Sequence, residues 1–391
     1  MTFATRTAHL KPEGAYQVLA RATQLEAAGQ EIIHLEIGQP DYATFENVSE
    51  AGIQAIRSGK TRYTPPAGMT SLREAIAVDS GTRRGVKFEA DEVVVSPGGK
   101  PNLFFPTMAL IEPGDEVIYP NPGFPTYEAM IKVAGGIPVP VPLLEQNRFS
   151  FDLAAFDKLI NERTKLIIIN SPSNPTGGVI PPADLEHIAA QAEKYDCWVM
   201  SDEIYARIIY DGLVAPSIAA LPGMKERTII VDGFSKTYSM TGWRLGYGIM
   251  PRELAARVDL LLTHSIGSTA HFTQFAGLEA VTGPQDMVDV MVAEYQRRRN
   301  VIVDGLNAIP GFSCQKPQGA FYVFPNITGT GMSSTDLANL ILEKAGVALL
   351  PGSSFGSFGE GYLRLSYANS IENIQRGLKK IKAMVSEHVA R

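Results

Sequence analysis

Cysteine is scarce. The 391 residues include only Cys197 and Cys314, and no C-x-x-C spacing occurs. That excludes a disulfide framework and predicts a reducing compartment. A basic excess is also missing: 35 Lys and Arg stand against 41 Asp and Glu, for a net charge of −6. This balance argues against a nucleic-acid backbone or an anionic membrane surface as a partner. Long apolar runs are absent too, because Pro, Gly or a charge breaks every candidate, so no membrane span is expected. The opening MTFATRTAHLKPEG lacks the apolar core of a signal peptide. These absences read together as a cytoplasmic protein. The densest basic cluster, Arg297-Arg298-Arg299, reads as a solvated helix face.

What is present is ordinary globular composition, 45% hydrophobic and 19% charged, in a chain too long for one small core. Short β-branched runs alternate with helical patterns, which predicts an α/β fold with a mainly parallel sheet. The strands are expected at Val93–Val95, Glu116–Tyr119, Leu166–Asn170, Trp198–Ser201, Thr228–Val231 and Leu245–Ile249. Leu166-Ile167-Ile168-Ile169 is apolar at every position, as a strand buried on both faces requires. Helices are expected at Tyr127–Val133 and at Ala183–Tyr195, with Pro182 in the first turn of the latter. Past Pro284 the texture changes to a long helix from Gln285 to about Asn307 and a strand-like run from Gly319 to Phe324. A helix near Ser334–Lys344, two short strands and a helix from Ser370 follow. A helix from Lys11 to about Ala28 is expected to join this part. The layout predicts a large domain over 45–285, with its sheet flanked by helices. A small α+β domain would be built from both termini, 1–44 and 286–391.

The chemistry-bearing residues cluster where strands end, which is where open α/β sheets bind ligands. Gly233-Phe234-Ser235-Lys236-Thr237-Tyr238 directly follows a strand, and Thr241-Gly242-Trp243-Arg244 comes shortly after. A lone loop lysine is usually a solvated charge. In a partly desolvated site, however, Lys236 loses its proton and attacks a carbonyl, and Arg244 is placed to clamp a phosphate. Ser201-Asp202-Glu203-Ile204-Tyr205 puts an acid at a strand end. Asp202 is either a helix cap or a buried partner for a protonated ring nitrogen. Asn170-Ser171-Pro172-Ser173-Asn174-Pro175 is turn chemistry that also fixes Asn174 as a donor. Ser96-Pro97-Gly98-Gly99-Lys100-Pro101 enters a helix whose free N–H groups suit phosphate, although the Walker spacing is absent. Phe124, in Asn121-Pro122-Gly123-Phe124-Pro125-Thr126-Tyr127, is either core or a ring that stacks on a cofactor, with spacing favouring core. Arg364 sits inside the apolar run Tyr362–Tyr367, where it needs either a bound carboxylate or an internal acid.

Together these motifs resemble the class I/II aminotransferases, fold type I enzymes that use pyridoxal 5′-phosphate. The resemblance runs from Leu35-Glu36-Ile37-Gly38-Gln39-Pro40-Asp41 to the Arg364 strand. It implies that Lys236 carries the cofactor as a Schiff base and shuttles the Cα proton. Asp202 would pair with the ring nitrogen, Tyr205 and Asn174 with the ring's phenolic oxygen, and Phe124 with the ring face. Gly99, Lys100, Ser235 and Arg244 would hold the phosphate. Arg364, Asn174 and the Gly38 backbone would bind the substrate's α-carboxylate. Tyr63 would reach the phosphate of a second subunit, so the resemblance implies a homodimer with shared active sites and two-fold symmetry. No metal is implied. Two departures stand out. Gly233 occupies a place where some relatives carry Ser or Thr, and no residue clearly supplies a cation for a second substrate carboxylate. Glu13 even disfavours one, unless it is simply a helix-start acid.

The function implied is a ping-pong amino transfer from an L-amino acid to a 2-oxo acid. A β-eliminating lyase or a decarboxylase of the same fold is the alternative. A nicotinamide-dependent dehydrogenase would need a G-x-G-x-x-G turn after a strand with an acid about twenty residues on, and none is present.

Overall fold

The computed structural model describes residues 3–8, 10 and 12–388. Among the described residues twelve strands follow in chain order: β1 Ile33–His34, β2 Val93–Ser96, β3 Glu116–Asn121, β4 Ile137–Pro142, β5 Thr164–Asn170 and β6 Trp198–Asp202. Then come β7 Thr228–Gly233, β8 Gly246–Ile249, β9 Tyr322–Val323, β10 Val347–Ala348, β11 Leu350–Pro351 and β12 Leu363–Ser366. The central sheet has seven strands in the order β2-β8-β7-β6-β5-β3-β4. Within it β8 alone runs antiparallel to its neighbours. The α/β reading therefore holds, and every strand expected up to residue 249 is present within a few residues.

Burial on both faces explains the unbroken apolar strands. Leu166 and Ile168 pack with Tyr127, Met130 and Val258 on one side, and Ile167 and Ile169 pack with Phe156 and Ile188 on the other. This alternation is the two-residue period of a strand. Strand β4 had no counterpart in the sequence reading. Its run Ile137-Pro138-Val139-Pro140-Val141-Pro142 looks like a loop, yet it pairs along its whole length with β3 and with no other strand. Proline lacks an N–H, so it is tolerated in a strand with one open edge.

Ile33–His34 pairs in parallel with Val347–Ala348, and a three-stranded antiparallel sheet, β11-β12-β9, lies alongside. The Ser366 N–H donates to the Leu35 carbonyl at 2.7 Å, tying the segment after β1 to the Arg364 strand. The run from Gly319 to Phe324 is strand only at Tyr322–Val323, and the helix at Ser334–Leu340 continues as a π-helical turn, Ile341–Ala345. The first long helix is Gly14–Ala27; Lys11, where it was expected to begin, lies outside the described residues. The last helix starts at Ile371, with Ser370 just ahead of it.

One expectation is overturned. Arg298 and Arg299 are buried on the Asp286–Asn307 helix, not spread on a solvated face. Arg298 forks onto both oxygens of Asp41 at 2.8 Å. Arg299 meets Asp211 at 2.7 and 2.8 Å and donates to the Pro317 carbonyl at 3.1 Å. Besides Glu294, which also meets Arg298 at 3.0 Å, the acids that neutralise them, Asp41 and Asp211, are distant in sequence, so a local charge run could not reveal those pairings. Arg297 alone is exposed, with Glu294 beside it.

A second buried network braces the strand ends from behind. Arg84 donates to Glu203 at 2.6 Å and to Asp232 at 2.8 Å, and all three side chains are almost fully buried. Ser201 and Ser217 also donate to Glu203, at 2.8 and 2.6 Å, and Tyr247 donates to Asp232 at 2.9 Å. Arg84→Met would strand the buried Glu203 carboxylate without its cation and leave Asp232 only Arg83, at 3.5 Å. Removing one partner of a buried pair costs about 3–5 kcal/mol, so urea unfolding should show a loss of that order. An unchanged midpoint would mean that the triad carries no net stability.

Candidate active site

The sheet order brings the distant motifs to one rim. Strands β5, β6 and β7 are parallel and in register, with Asn170 opposite Asp202 and Asp202 opposite Val231. Their C-terminal ends deliver Asn174, Asp202, Tyr205 and Lys236. Strand β3 ends at Asn121 and β2 at Ser96, each just ahead of its own motif. Because β8 runs the other way, its start at Gly246 lies at the same rim, which puts Arg244 there too. Gly246 faces both Ser96 and Gly233. A Cβ on Gly246 would overlap the backbone of Gly98 and Gly99, so glycine is what lets that turn close down. Gly98, at φ +84°, adopts a left-handed conformation, and a side chain there would collide with the Arg244 guanidinium. Ser96 fixes the turn by donating to the Gly98 carbonyl at 2.6 Å, and Asn102 donates to the Ser96 hydroxyl at 2.7 Å.

Lys236 follows β7 within the short helix Phe234–Thr237. Its amine donates to the Gly38 carbonyl and has no carboxylate partner among the described residues. The Phe321 and Tyr205 rings lie 5.8 and 6.0 Å from Nζ. Burial, then the charges of Arg364 and Arg244, push the ammonium down to about 8, against a smaller opposing pull from Asp202. A part-buried amine with cations near it and no salt bridge is one that readily loses its proton.

Asp202 is buried at the end of β6. One oxygen accepts the Tyr127 hydroxyl at 2.7 Å and the other the Ile204 N–H at 3.3 Å. Burial pushes its acid up to about 6, with the Tyr127 bond pulling back. Besides the cap-like bond to the Ile204 N–H it holds a buried hydroxyl, so a cap role alone does not account for it. Tyr205 is buried and shares a 2.7 Å hydrogen bond with the Tyr322 hydroxyl. Burial holds its phenol well above the usual range.

Asn174 is held by its N–H, which donates to the Asn170 side chain at 2.8 Å. Its side-chain oxygen accepts from Arg364 at 3.1 Å. Arg364 is buried and also donates to the Glu36 carbonyl; its guanidinium lies 4.5 Å over Tyr322 and 5.0 Å over Phe355. Neither reading of Arg364 included this. No carboxylate pairs with it among the described residues, and its Nε is buried without a partner. An unmatched donor on a buried cation fits an incoming carboxylate. Phe124 is half-buried, edge-on to Tyr127 at 5.8 Å, with the Lys100 amine 5.2 Å above its ring. It packs against the hydrophobic core from the rim, as spacing favoured, while leaving part of its ring open. Ser235 is buried, while Tyr63 is 97% exposed.

Tyr127 and Tyr322 went unassigned in the sequence reading. Tyr127 is quoted within a turn motif and Tyr322 within an apolar strand; each places a hydroxyl where no periodicity reveals it. The signal that could have marked them is a polar tip on an otherwise apolar face.

The set fits an aldehyde-bearing pyridine phosphate: a deprotonatable amine, a buried acid at a neighbouring strand end, and a glycine turn that opens space against an arginine. The sequence profile described as aminotransferase class I and II matches residues 30–381. The aspartate aminotransferase of Geobacillus stearothermophilus is 39% identical, covering 97% of this chain and 98% of that protein. Aromatic-amino-acid aminotransferase 2 of Thermococcus litoralis is 37% identical over 91% of this chain and 92% of its own. The structure of an alanine aminotransferase from Pyrococcus furiosus superposes with a TM-score of 0.94, at 32% identity, over 99% of this chain and 100% of its own. The chain therefore belongs to the class I and II aminotransferase family, whose members use pyridoxal phosphate, and it is an aminotransferase that moves the amino group of an amino acid to a 2-oxo acid.

Proposed function

We propose that this chain runs that transfer as two half-reactions on pyridoxal 5′-phosphate attached at Lys236. The observation that carries the reading is the part-buried Lys236 amine, which no carboxylate pairs among the described residues and on which the charges of Arg364 and Asp202 both act. When bound, the cofactor supplies a ring that takes up the electron pair released as the substrate Cα–H bond breaks.

The protein's part is to hold, orient and move protons. Asp202, ionised and fixed by Tyr127, would keep a proton on the ring nitrogen. Tyr205 and Asn174 would donate to the ring's phenolic oxygen, and Phe124 would cover one face. Gly99 and Lys100, through their backbone N–H groups, with Ser235 and Arg244, would hold the phosphate. Arg364 would use its free Nε for the α-carboxylate, with Asn174 and the Gly38 backbone alongside. Released from the cofactor, Lys236 would take the Cα proton and return it at the next position. Its depressed basicity suits that exchange near neutral pH.

The reading includes a homodimer. Tyr63 is an almost fully exposed ring, and an open cavity of about 600 Å³ lies against Pro97, Arg244 and Phe272. Tyr63 of a second copy entering there would complete the phosphate site. It also keeps the large domain at 45–285, the small domain at 1–44 and 286–391, and a cytoplasmic setting in which Cys197 and Cys314 stay unpaired.

The Lys236 amine makes a pH prediction. Its folded value, about 8, lies below that of a free lysine. The unfolded chain therefore binds the extra proton between those values, and stability contributed by this group rises with pH across that window. The same shift sets reactivity: capture of pyridoxal phosphate by cofactor-free protein should accelerate through about pH 8, read from the absorbance of the adduct. A midpoint near the ordinary lysine value would contradict the account. Lys236→Ala should abolish both capture and amino transfer; retained turnover would sink the assignment.

Arg364→Lys keeps the charge and loses the fork. The KM for amino acids should rise about tenfold or more, with a smaller effect on kcat. Equal KM values would show that the carboxylate is bound elsewhere.

A further inference from the structure

We infer that Glu13 makes this site select amino acids with uncharged side chains over aspartate and glutamate, by neutralising Lys100 at the mouth of the site. The inference rests on the amino-transfer reading above and names its substrate class.

Lys100 is the first residue of the Lys100–Leu110 helix. A cation there faces the positive end of the helix dipole, which is unfavourable without a counter-charge. Glu13 supplies that charge: the two side chains form an ion pair across 87 residues of sequence. Glu13 precedes the Gly14–Ala27 helix but its side chain makes no capping bond, so the acid is not used to start that helix. The pair lies beside the site. The Lys100 amine stands over Phe124, Phe124 packs edge-on against Tyr127, and Tyr127 donates to Asp202.

The nearby cations are otherwise occupied. Three of them, Arg364, Arg244 and Lys100, act on Lys236. Arg364 is tied to Asn174 and the Glu36 carbonyl, with its unpartnered Nε left for the α-carboxylate. Arg244 lies at the Gly98 turn proposed for phosphate. Lys100 remains, and Glu13 has neutralised it. A second substrate carboxylate arriving there would have to displace Glu13 or stand beside it as a like charge. Both residues are partly exposed, at 26% for Glu13 and 48% for Lys100, so solvent screens the repulsion and the selection is graded.

The test uses holoenzyme and two carboxylates that cannot donate an amino group, succinate and butyrate. Calorimetry gives both dissociation constants for the wild type, Glu13→Gln and the double variant Glu13→Gln/Lys100→Ala. The wild type should bind butyrate at least as well as succinate. Glu13→Gln should shift the ratio towards succinate by about five- to tenfold, and the double variant should lose that gain. Half-reaction kcat/KM values for aspartate against alanine should move the same way. A wild type that prefers succinate, or a ratio unmoved by Glu13→Gln, overturns the inference. Failure of the half-reaction with every amino acid overturns instead the amino-transfer reading beneath it.

Discussion

An amine partly withdrawn from water and left without a carboxylate partner is the constraint on which the rest of the site depends. Burial alone disfavours the ammonium, and Arg364 and Arg244 add to that. Asp202 is the one group that opposes the shift, yet its oxygens are taken by Tyr127 and the Ile204 N–H. The Asp202 charge is therefore held by its own partners and does not form an ion pair with Lys236. Had the acid reached the amine, the pair would have locked the lysine in its charged, unreactive form.

That separation is maintained from outside the site. Arg84, Glu203 and Asp232 form a closed buried network directly behind the ends of β6 and β7. It fixes the chain next to Asp202 and Lys236, and its two carboxylates add to the push from burial that raises the Asp202 acid. On the open side, the glycines at 98 and 246 allow a backbone turn and an arginine to approach where side chains would collide. The same rim therefore carries a rigid polar wall on one side and vacant, donor-lined space on the other. The pairing of Leu35 with Ser366 and Ala348 brings Gly38 and Arg364 over this space from the far end of the chain.

Much of this was legible in the sequence because it is local. Glycines, prolines and a lysine after an apolar run mark strand ends, and strand ends are where α/β sheets bind ligands. What could not be read depends on partners far apart in the chain. Arg298 and Arg299 looked like surface charges because Asp41 and Asp211 are remote. Strand β4 was hidden because alternate prolines suppress the usual strand signal, and only its edge position makes them tolerable. Tyr127 and Tyr322 act through hydroxyls whose targets, Asp202 and Tyr205, lie on other elements. Glu13 could be read as a helix-start acid, and only the fold shows that it is bound to Lys100.

The central claim is that one lysine of the chain, Lys236, is the attachment point. Reducing the pyridoxal-phosphate-loaded protein with borohydride and mapping its peptides by mass spectrometry tests this directly. The account predicts a single irreversible cofactor adduct, on the peptide carrying Ser235-Lys236-Thr237. An adduct on Lys100 or another lysine, or none at all, would contradict it.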